Sequence, residues 1–376
     1  MQKTKKHMFI IGENEKKLPL YIQEANRLKH LVVVGTKGTG KSTGLLPSLV
    51  KQDIEDKKVG VTIIAGEKET ALLLYALAKR AGREIVVVKP SLTDSGKLLL
   101  AKKSYDYEGI KEDVLDFEKA IQKKQIVIID MEFARYQERA IQGVAYMLTA
   151  LQEAVVKENE VNITKHYLYV DDAYLYLPYL KSHLYSGKDY GLGCTLFLES
   201  RLQLVKPEER AIVDSMIRNT MLMSGLTLED AVHYSEDVYE KPIPAMRNRS
   251  LKEFIYSTTD KEGRRTQGSG KFQFLSDELL QSLRLAIPRY RGGIEREQVG
   301  VESPPDEDKM VASLTKEVEV TTPLVTPASM PGKETAKVPT KPAVKPKKER
   351  ITSRVEALSK RHVVILSNTF DEDDEF

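Results

Sequence analysis

The feature that most constrains this chain is the run from Leu31 to Thr43. Four apolar residues, Leu31-Val-Val-Val34, lead into Gly35, Thr36, Lys37, Gly38, Thr39, Gly40, Lys41, Ser42 and Thr43. The run fits G-x-x-x-x-G-K-[ST] and stands where that pattern must stand, after an apolar strand and before a helical stretch. Each residue type has a physical task. Glycines let backbone N–H groups turn inward toward phosphate oxygens, and the N-terminus of the following helix adds its dipole. Lys41 is placed for the β- and γ-phosphates, Ser42 for Mg²⁺ and Thr43 for the α-phosphate. The pattern therefore predicts a nucleotide site for ATP and Mg²⁺, and no N-K-x-D guanine motif follows it.

The sequence beyond the loop sets the fold class. Apolar, β-branched runs at 31–34, 61–65, 85–88, 126–129, 167–170, 194–198 and 220–224 alternate with helical patterns at 42–56, 68–81, 139–157, 173–186 and 207–218. Continuous apolar strands separated by helices predict an α/β domain with a parallel sheet covered on both faces. Two of these strands end in carboxylates, at Asp130 and at Asp171-Asp172. Either would stand at the carboxyl edge of the sheet, where ligands of doubly wound folds bind. The tandem pair is preferred, because Asp171 can hold Mg²⁺ while Asp172 polarises the attacking water. Asp130 is the alternative metal carboxylate, with a structural role as its simpler reading.

Composition narrows the function classes. The 376 residues hold 58 Lys and Arg against 55 Asp and Glu, too balanced for a histone-like coat on nucleic acid. One cysteine, Cys194, excludes an internal disulfide framework and fits a buried small hydrophobe. Six scattered histidines show no metal-site spacing; His30, just before a strand, is read as either solvated or close to the nucleotide base. No apolar run approaches the roughly 20 residues of a spanning helix, and no secretory leader is apparent. The sequence predicts one nucleotide-binding domain over 1–300 and a disordered linker over 301–349. Eight of the 16 prolines fall between Pro304 and Pro346, and no aromatic residue stands between Glu302 and Lys348. A segment over 350–376 closes the chain. There, ten bases against three acids between Pro331 and Arg361 precede five consecutive acids inside Phe370–Phe376. Such a tip is read as a partner-docking peptide, as a decoy for a basic DNA channel, or as a solubilising tail.

Several of these runs together resemble the TraG/TraD conjugative coupling ATPases. The resemblance rests on Asp171-Asp-Ala-Tyr-Leu-Tyr-Leu-Pro178, Ser186-Gly-Lys-Asp-Tyr-Gly191 and Leu196-Phe-Leu-Glu199-Ser-Arg-Leu-Gln203-Leu204. Phe9-Ile-Ile-Gly12 and Arg27-Leu-Lys-His30 are similar to the family's lead-in, and Phe274-Leu-Ser-Asp-Glu278-Leu-Leu to its closing segment. The similarity spans roughly residues 8–295. It implies a RecA-like P-loop motor that forms a ring-shaped homo-oligomer of hexameric type, hydrolyses ATP and moves DNA toward a type IV secretion channel. The 34 residues ahead of Gly35 leave no room for the family's membrane helices. The resemblance thus implies a cytoplasmic form, held at the inner face of the membrane by a membrane-embedded secretion component or a relaxosome protein, reached through the C-terminal tail.

Four places depart from the family pattern, one of them the segment after the second strand, where its Asp-Pro-Lys-Gly reads Ala65-Gly-Glu-Lys-Glu69. Its Asp-Glu pair reads Asp171-Asp172, its sensor Gln reads Glu199, and Lys188 stands where Arg is expected. Glu199 is accordingly a candidate to supply the missing base. Lys188 and Arg201 are candidates for a positive charge offered across a subunit interface to the γ-phosphate. Competing readings are an FtsK/HerA-like DNA translocase, a packaging ATPase, and a slow, nucleotide-dependent scaffold that recruits a DNA-transfer complex.

Overall fold

The computed structural model describes residues 8–92, 98–102, 115–130, 137–159, 164–237, 243–260 and 262–286. The expected domain boundary near 300, the linker over 301–349 and the segment over 350–376 with its acidic tip lie outside the described residues.

The apolar runs form strands because their side chains have somewhere to go on both faces. In β3 (Leu31–Val34) every residue is buried, and so is every residue of β4 (Gly60–Ala65), β7 (Ile126–Asp130), β8 (His166–Val170) and β9 (Leu192–Leu198). Alternation splits each run between two cores. Val32 and Val34 pack with Val144, Leu148 and Leu180 on one face. Leu31 and Val33 pack with Leu46, Leu49 and Leu74 on the other. Full burial of one such side chain contributes about 1.5–3 kcal/mol, so the strand core is the main store of stability.

The remaining strands are β1 (Met8–Glu13), β2 (Pro19–Gln23), β5 (Ile85–Leu92), β6 (Leu98–Lys102), β10 (Asn219–Leu222), β11 (Glu253–Thr259) and β12 (Arg265–Lys271). All twelve join one sheet in the order β2-β1-β12-β11-β10-β3-β9-β8-β4-β7-β5-β6. From β10 to β5 every neighbouring pair is parallel. The predicted mostly parallel α/β sheet is therefore observed. It is extended by antiparallel strands at both ends: β11, β12, β1 and β2 on one side and β6 on the other.

Helices flank the sheet as the amphipathic runs predict. Those of at least ten residues are α1 (Leu46–Glu55), α2 (Lys68–Arg80), α3 (Glu138–Asn159), α4 (Leu177–Ser186), α5 (Pro207–Met216), α6 (Leu228–Asp237) and α7 (Asp277–Ala286). Two expected helices are interrupted. The run expected over 42–56 opens with one wide π turn, Lys41–Leu45, before α1. The run expected over 173–186 opens with a 3₁₀ turn, Ala173–Leu175, before α4. Both irregular turns lie where a carboxyl end of the sheet passes into a helix, so both position the site. No helix among the described residues is long and apolar enough to cross a membrane.

Candidate nucleotide-binding site

The strand order decides which groups meet. β9 lies between β3 and β8, so the loop after β3 and the carboxylates after β8 are two strand spacings apart, about 10 Å. Three carboxyl ends converge there: Gly35 after β3, Asp171 after β8 and Glu199 after β9. The Gly35 N–H donates to Leu198 O at 3.1 Å, latching the start of the loop to the end of β9.

Within the loop, Gly38 and Gly40 both adopt φ 83°, the left-handed region that favours glycine. Gly40 caps the π turn, and its carbonyl accepts from the N–H groups of Gly44 and Leu45 at 3.1 and 2.8 Å. Thr39 Oγ1 donates to Thr36 O at 2.8 Å and braces the loop. Lys41 is buried, and its ammonium donates inward to Gly35 O and, at 3.1 Å, to Thr36 O. Burial lowers its pKa, while Glu199, Asp171 and Asp172 raise it, Glu199 most strongly of the three. Thr36 and Ser42 are half-buried, and Lys37, Gly38 and Thr43 are exposed along the outer side.

The acidic side faces this lysine. Ser42 Oγ donates to Asp171 Oδ1 at 3.0 Å, and the Asp172 N–H donates to the same oxygen at 3.2 Å. Asp171 is 2% exposed, and burial, followed by its neighbour Asp172, pushes its carboxyl up to about 6. Burial and Glu199 raise Asp172 as well. Asp172 also stands in the left-handed region, φ 48° and ψ 46°, as the residue before the 3₁₀ turn. A non-glycine residue there carries strain of order 1 kcal/mol. Space is tight around the pair: a Cβ on Gly66, at the end of β4, would lie 2.9 Å from Asp172 Oδ2 and 3.1 Å from Asp171 Oδ2.

A hydroxyl and a carboxylate in contact are hard oxygen donors of the kind Mg²⁺ takes, and burial is the main cause of the raised carboxyls. The residues fit the ion. Among the described residues there is no group of three or more His, Cys, Asp or Glu side chains placed to hold a metal ion.

The structure separates the other sequence-predicted residues. Asp130 ends β7, two strands beyond β8, and forms an ion pair with Lys89 at 2.9 Å. It stands away from the phosphate loop, whereas Asp171 touches Ser42. Arg201 lies in the turn after β9, with its guanidinium across the Asp214 carboxylate: Nε donates at 3.3 Å and Nη2 makes the second contact. Lys188 is exposed in the turn Gly187–Tyr190, ahead of β9, so it stands at the amino edge of the sheet, opposite the loop. Within one subunit it is not part of the cluster. His30 fits neither expectation, solvated or beside a base. It is 1% exposed at the amino edge of β3, where Nε2 donates to Leu184 O and Nδ1 accepts from Cys194 N–H, both at 3.0 Å. Burial pushes it down to about 4. Cys194 is buried as expected, and burial raises its thiol.

Sequence reasoning missed Phe274. Its ring lies against the phosphate loop and the first turn after it: a Cβ added to Gly44 would come within 1.8 Å of it, and one on Gly40 within 2.8 Å. The signal was present in Gly44, a glycine inside a helical pattern, which implies close approach by another group.

No protein-family model and no curated protein matches the chain. Solved structures do. VirB4 of Thermoanaerobacter pseudethanolicus aligns with a TM-score of 0.50 at 10% identity, covering 73% of this chain and 98% of that one. The genome packaging NTPase of Sulfolobus turreted icosahedral virus 2, solved with ATP-gammaS, aligns with a TM-score of 0.41 at 14% identity, covering 66% and 98%. The bacterial conjugative coupling protein TrwBdeltaN70 aligns with a TM-score of 0.41 at 12% identity, covering 72% and 82%. The VirB4 likeness establishes a shared fold, and the coupling-ATPase resemblance in the sequence had implied a P-loop fold of this kind.

Proposed function

We propose that this chain binds ATP·Mg²⁺ at the carboxyl edge of the sheet and hydrolyses it to move or deliver DNA, in the manner of conjugative coupling ATPases. The observation that carries the ATPase reading is the convergence of Lys41, Ser42, Asp171, Asp172 and Glu199, with β9 inserted between the loop strand and the aspartate strand. The DNA reading is supported by the motif resemblance and by the net +5 of residues 1–300. A homo-oligomeric ring, partners recruited through the C-terminal tail and a place at the inner face of the membrane belong to the same proposal.

Each residue then has a task. The backbone N–H groups from Thr36 to Thr43 cradle the phosphates. Lys41 leaves the Gly35 and Thr36 carbonyls for the β- and γ-phosphates. Ser42 and Asp171 would hold Mg²⁺, which supplies positive charge against the phosphate oxygens as charge shifts toward the leaving group. Asp172 orients the attacking water, and Glu199, which already acts on both Lys41 and Asp172, accepts its proton. Lys188 and Arg201 are the cations proposed for a neighbouring subunit's γ-phosphate. For Lys188 its place at the opposite edge permits action only in trans.

The test is the ATPase rate with and without single- and double-stranded DNA, for wild type and Lys41→Ala. Turnover that DNA stimulates and Lys41→Ala abolishes is expected. A second reading, a slow nucleotide-dependent scaffold, is favoured by the short reach of Asp172, one methylene less than a glutamate. Tight ATP binding with no stimulation by DNA selects it.

A further inference from the structure

One face of the sheet changes character where β10, β11 and β12 reach its amino edge. Alternation places Thr220 and Leu222 of β10 on the same face, opposite Ser257 and Ile255 of β11. Leu222, Ile255 and Val32 of β3 pack there with Val213 of α5 and Tyr234 of α6. Toward the amino edge the apolar residues stop. Thr220 stands beside Ser257, and Arg218, Thr259 and Arg265 form the next row. Thr259 pairs with Arg265, and its hydroxyl donates to Arg218 O at 3.2 Å. These residues line a cleft of about 200 Å³ between the sheet and the two helices.

Two buried hydroxyls distinguish the cleft from a surface groove. Tyr234 lines it and is 3% exposed, yet its Oη has no hydrogen-bond partner among the described residues. A buried polar group left in that state costs about 1–3 kcal/mol. Burial, then Asp230 and Asp214, push the Tyr234 hydroxyl up, so it stays protonated and offers a hydrogen. Ser257 is buried on the sheet side. The charges at the cleft are mainly positive. Arg218 and Arg265 are both exposed in its lining. The acid there, Asp214, is held by Arg201 and lies 3.5 Å from His233 Nε2. Asp230, one turn before Tyr234, accepts the Arg201 N–H at 3.0 Å.

A group that satisfies this cleft must carry charge for two guanidiniums and acceptor oxygens for hydroxyls on opposite walls. A carboxylate presents two oxygens in one plane. A phosphoryl group presents its oxygens tetrahedrally and is the usual match for arginine. We infer that the cleft between β10–β12 and α5–α6 binds a phosphoryl group, with Arg218 and Arg265 on its charge and Tyr234 and Ser257 donating to its oxygens. The site opens at the amino edge of the sheet, opposite the phosphate loop, and does not depend on the ATP-binding reading. Two sources share this chemistry, a free phosphate and the backbone of a DNA strand.

The experiment titrates the full chain with inorganic phosphate by calorimetry, after Mg²⁺ and a non-hydrolysable ATP analogue have been added to fill the phosphate loop. Saturable binding is expected. Tyr234→Phe removes only the unpartnered hydroxyl and is expected to weaken phosphate about tenfold or more, the worth of one hydrogen bond to a charged group. The melting temperature of the ligand-free variant should be unchanged or higher, because that hydroxyl makes no bond within the fold. A tyrosine with a purely structural role would lose stability and leave affinity alone. Arg218→Ala, at an exposed position, should also weaken phosphate about tenfold or more and serves if Tyr234→Phe does not fold. A single-stranded oligonucleotide identifies the source. Oligonucleotide binding that both variants weaken and phosphate displaces assigns the group to DNA; phosphate binding that they weaken, with oligonucleotide binding unaltered, assigns it to a free phosphate. Binding of both ligands that is indifferent to the two substitutions, or no binding of either by wild type, overturns the site.

Discussion

The two ends of α1 hold two ionic clusters built on opposite principles. At its C-terminal end, Asp53 is fully buried and bound by Arg27 in a fork, Nη1 to Oδ1 at 2.8 Å and Nη2 to Oδ2 at 2.6 Å. The Arg27 guanidinium is stacked between the rings of Phe9 and Tyr167, 3.6 and 3.5 Å from their centroids, and the Tyr169 hydroxyl donates to Asp53 as well. Every charge there has its partner. At the N-terminal end, beyond the π turn, one ammonium faces three carboxylates and spends its hydrogen bonds on backbone carbonyls. The first cluster is closed and structural. The second carries excess negative charge and a strained Asp172, and that imbalance is the mark of a site for a charged ligand.

The largest effect expected from this contrast is at the closed end. Asp53→Ala leaves Arg27 buried without a counter-charge, a loss of about 3–5 kcal/mol. Thermal or urea unfolding measures it directly. A loss below about 1 kcal/mol would mean that Arg27 finds water or another acid, and that the end is not closed.

The open end should respond with the opposite sign. The folded carboxyl of Asp171, at about 6, lies above the ordinary carboxylate value. Its ionised form is therefore disfavoured in the fold, a penalty fully present above about pH 6 that fades as the pH falls toward 4. Asp171→Asn keeps an oxygen for the Ser42 hydroxyl and removes that charge. The metal-free protein should gain about 1–3 kcal/mol at pH 8 and nothing at pH 4, relative to wild type. Stabilisation by Mg·ATP should be lost. Melting curves in EDTA at the two pH values test the sign; a less stable variant at pH 8 breaks the comparison. Buried histidines at the amino edge titrate the other way, which is why both proteins must be compared at each pH. His30 at about 4 and His166 at about 3 lie below the ordinary histidine value. Their contribution is present above about pH 6.5 and is lost as the unfolded chain takes up protons below it.

The same contrast explains what could be read in the sequence. The seven parallel strands were legible because double-sided burial writes uninterrupted apolar runs, as in Ile126-Val-Ile-Ile129. The phosphate loop was legible because its glycines and Lys41 act locally. The antiparallel extension was not. β12, Arg265-Thr-Gln-Gly-Ser-Gly-Lys271, buries little of its length, and its pairing with β11 supplies what its composition does not. The closed cluster was invisible because Arg27, Asp53 and Tyr169 are separated by 26 and 116 positions and meet only through the fold. The two-strand gap that sets Glu199 between Lys41 and Asp172 likewise depends on strand order, which apolar periodicity does not encode.

Arg201 belongs to neither cluster, and its small expected effect on stability makes it the finest probe of the difference. It follows β9 at the open edge, yet its charge is taken by Asp214, with His233 Nε2 3.5 Å from the same carboxylate. The side chains of Arg201 and Asp214 are 20% and 35% exposed, so solvent screens the pair and Asp214→Asn should cost only about 0.2–1 kcal/mol. A contact that weak can be exchanged for a phosphate, whereas the Arg27–Asp53 fork cannot. If Arg201 serves a neighbour's γ-phosphate, Arg201→Ala lowers turnover by about 10³-fold or more, while Asp214→Asn, which frees the same guanidinium, preserves it. Equal and minor effects of the two variants would place Arg201 with the closed, structural charges instead.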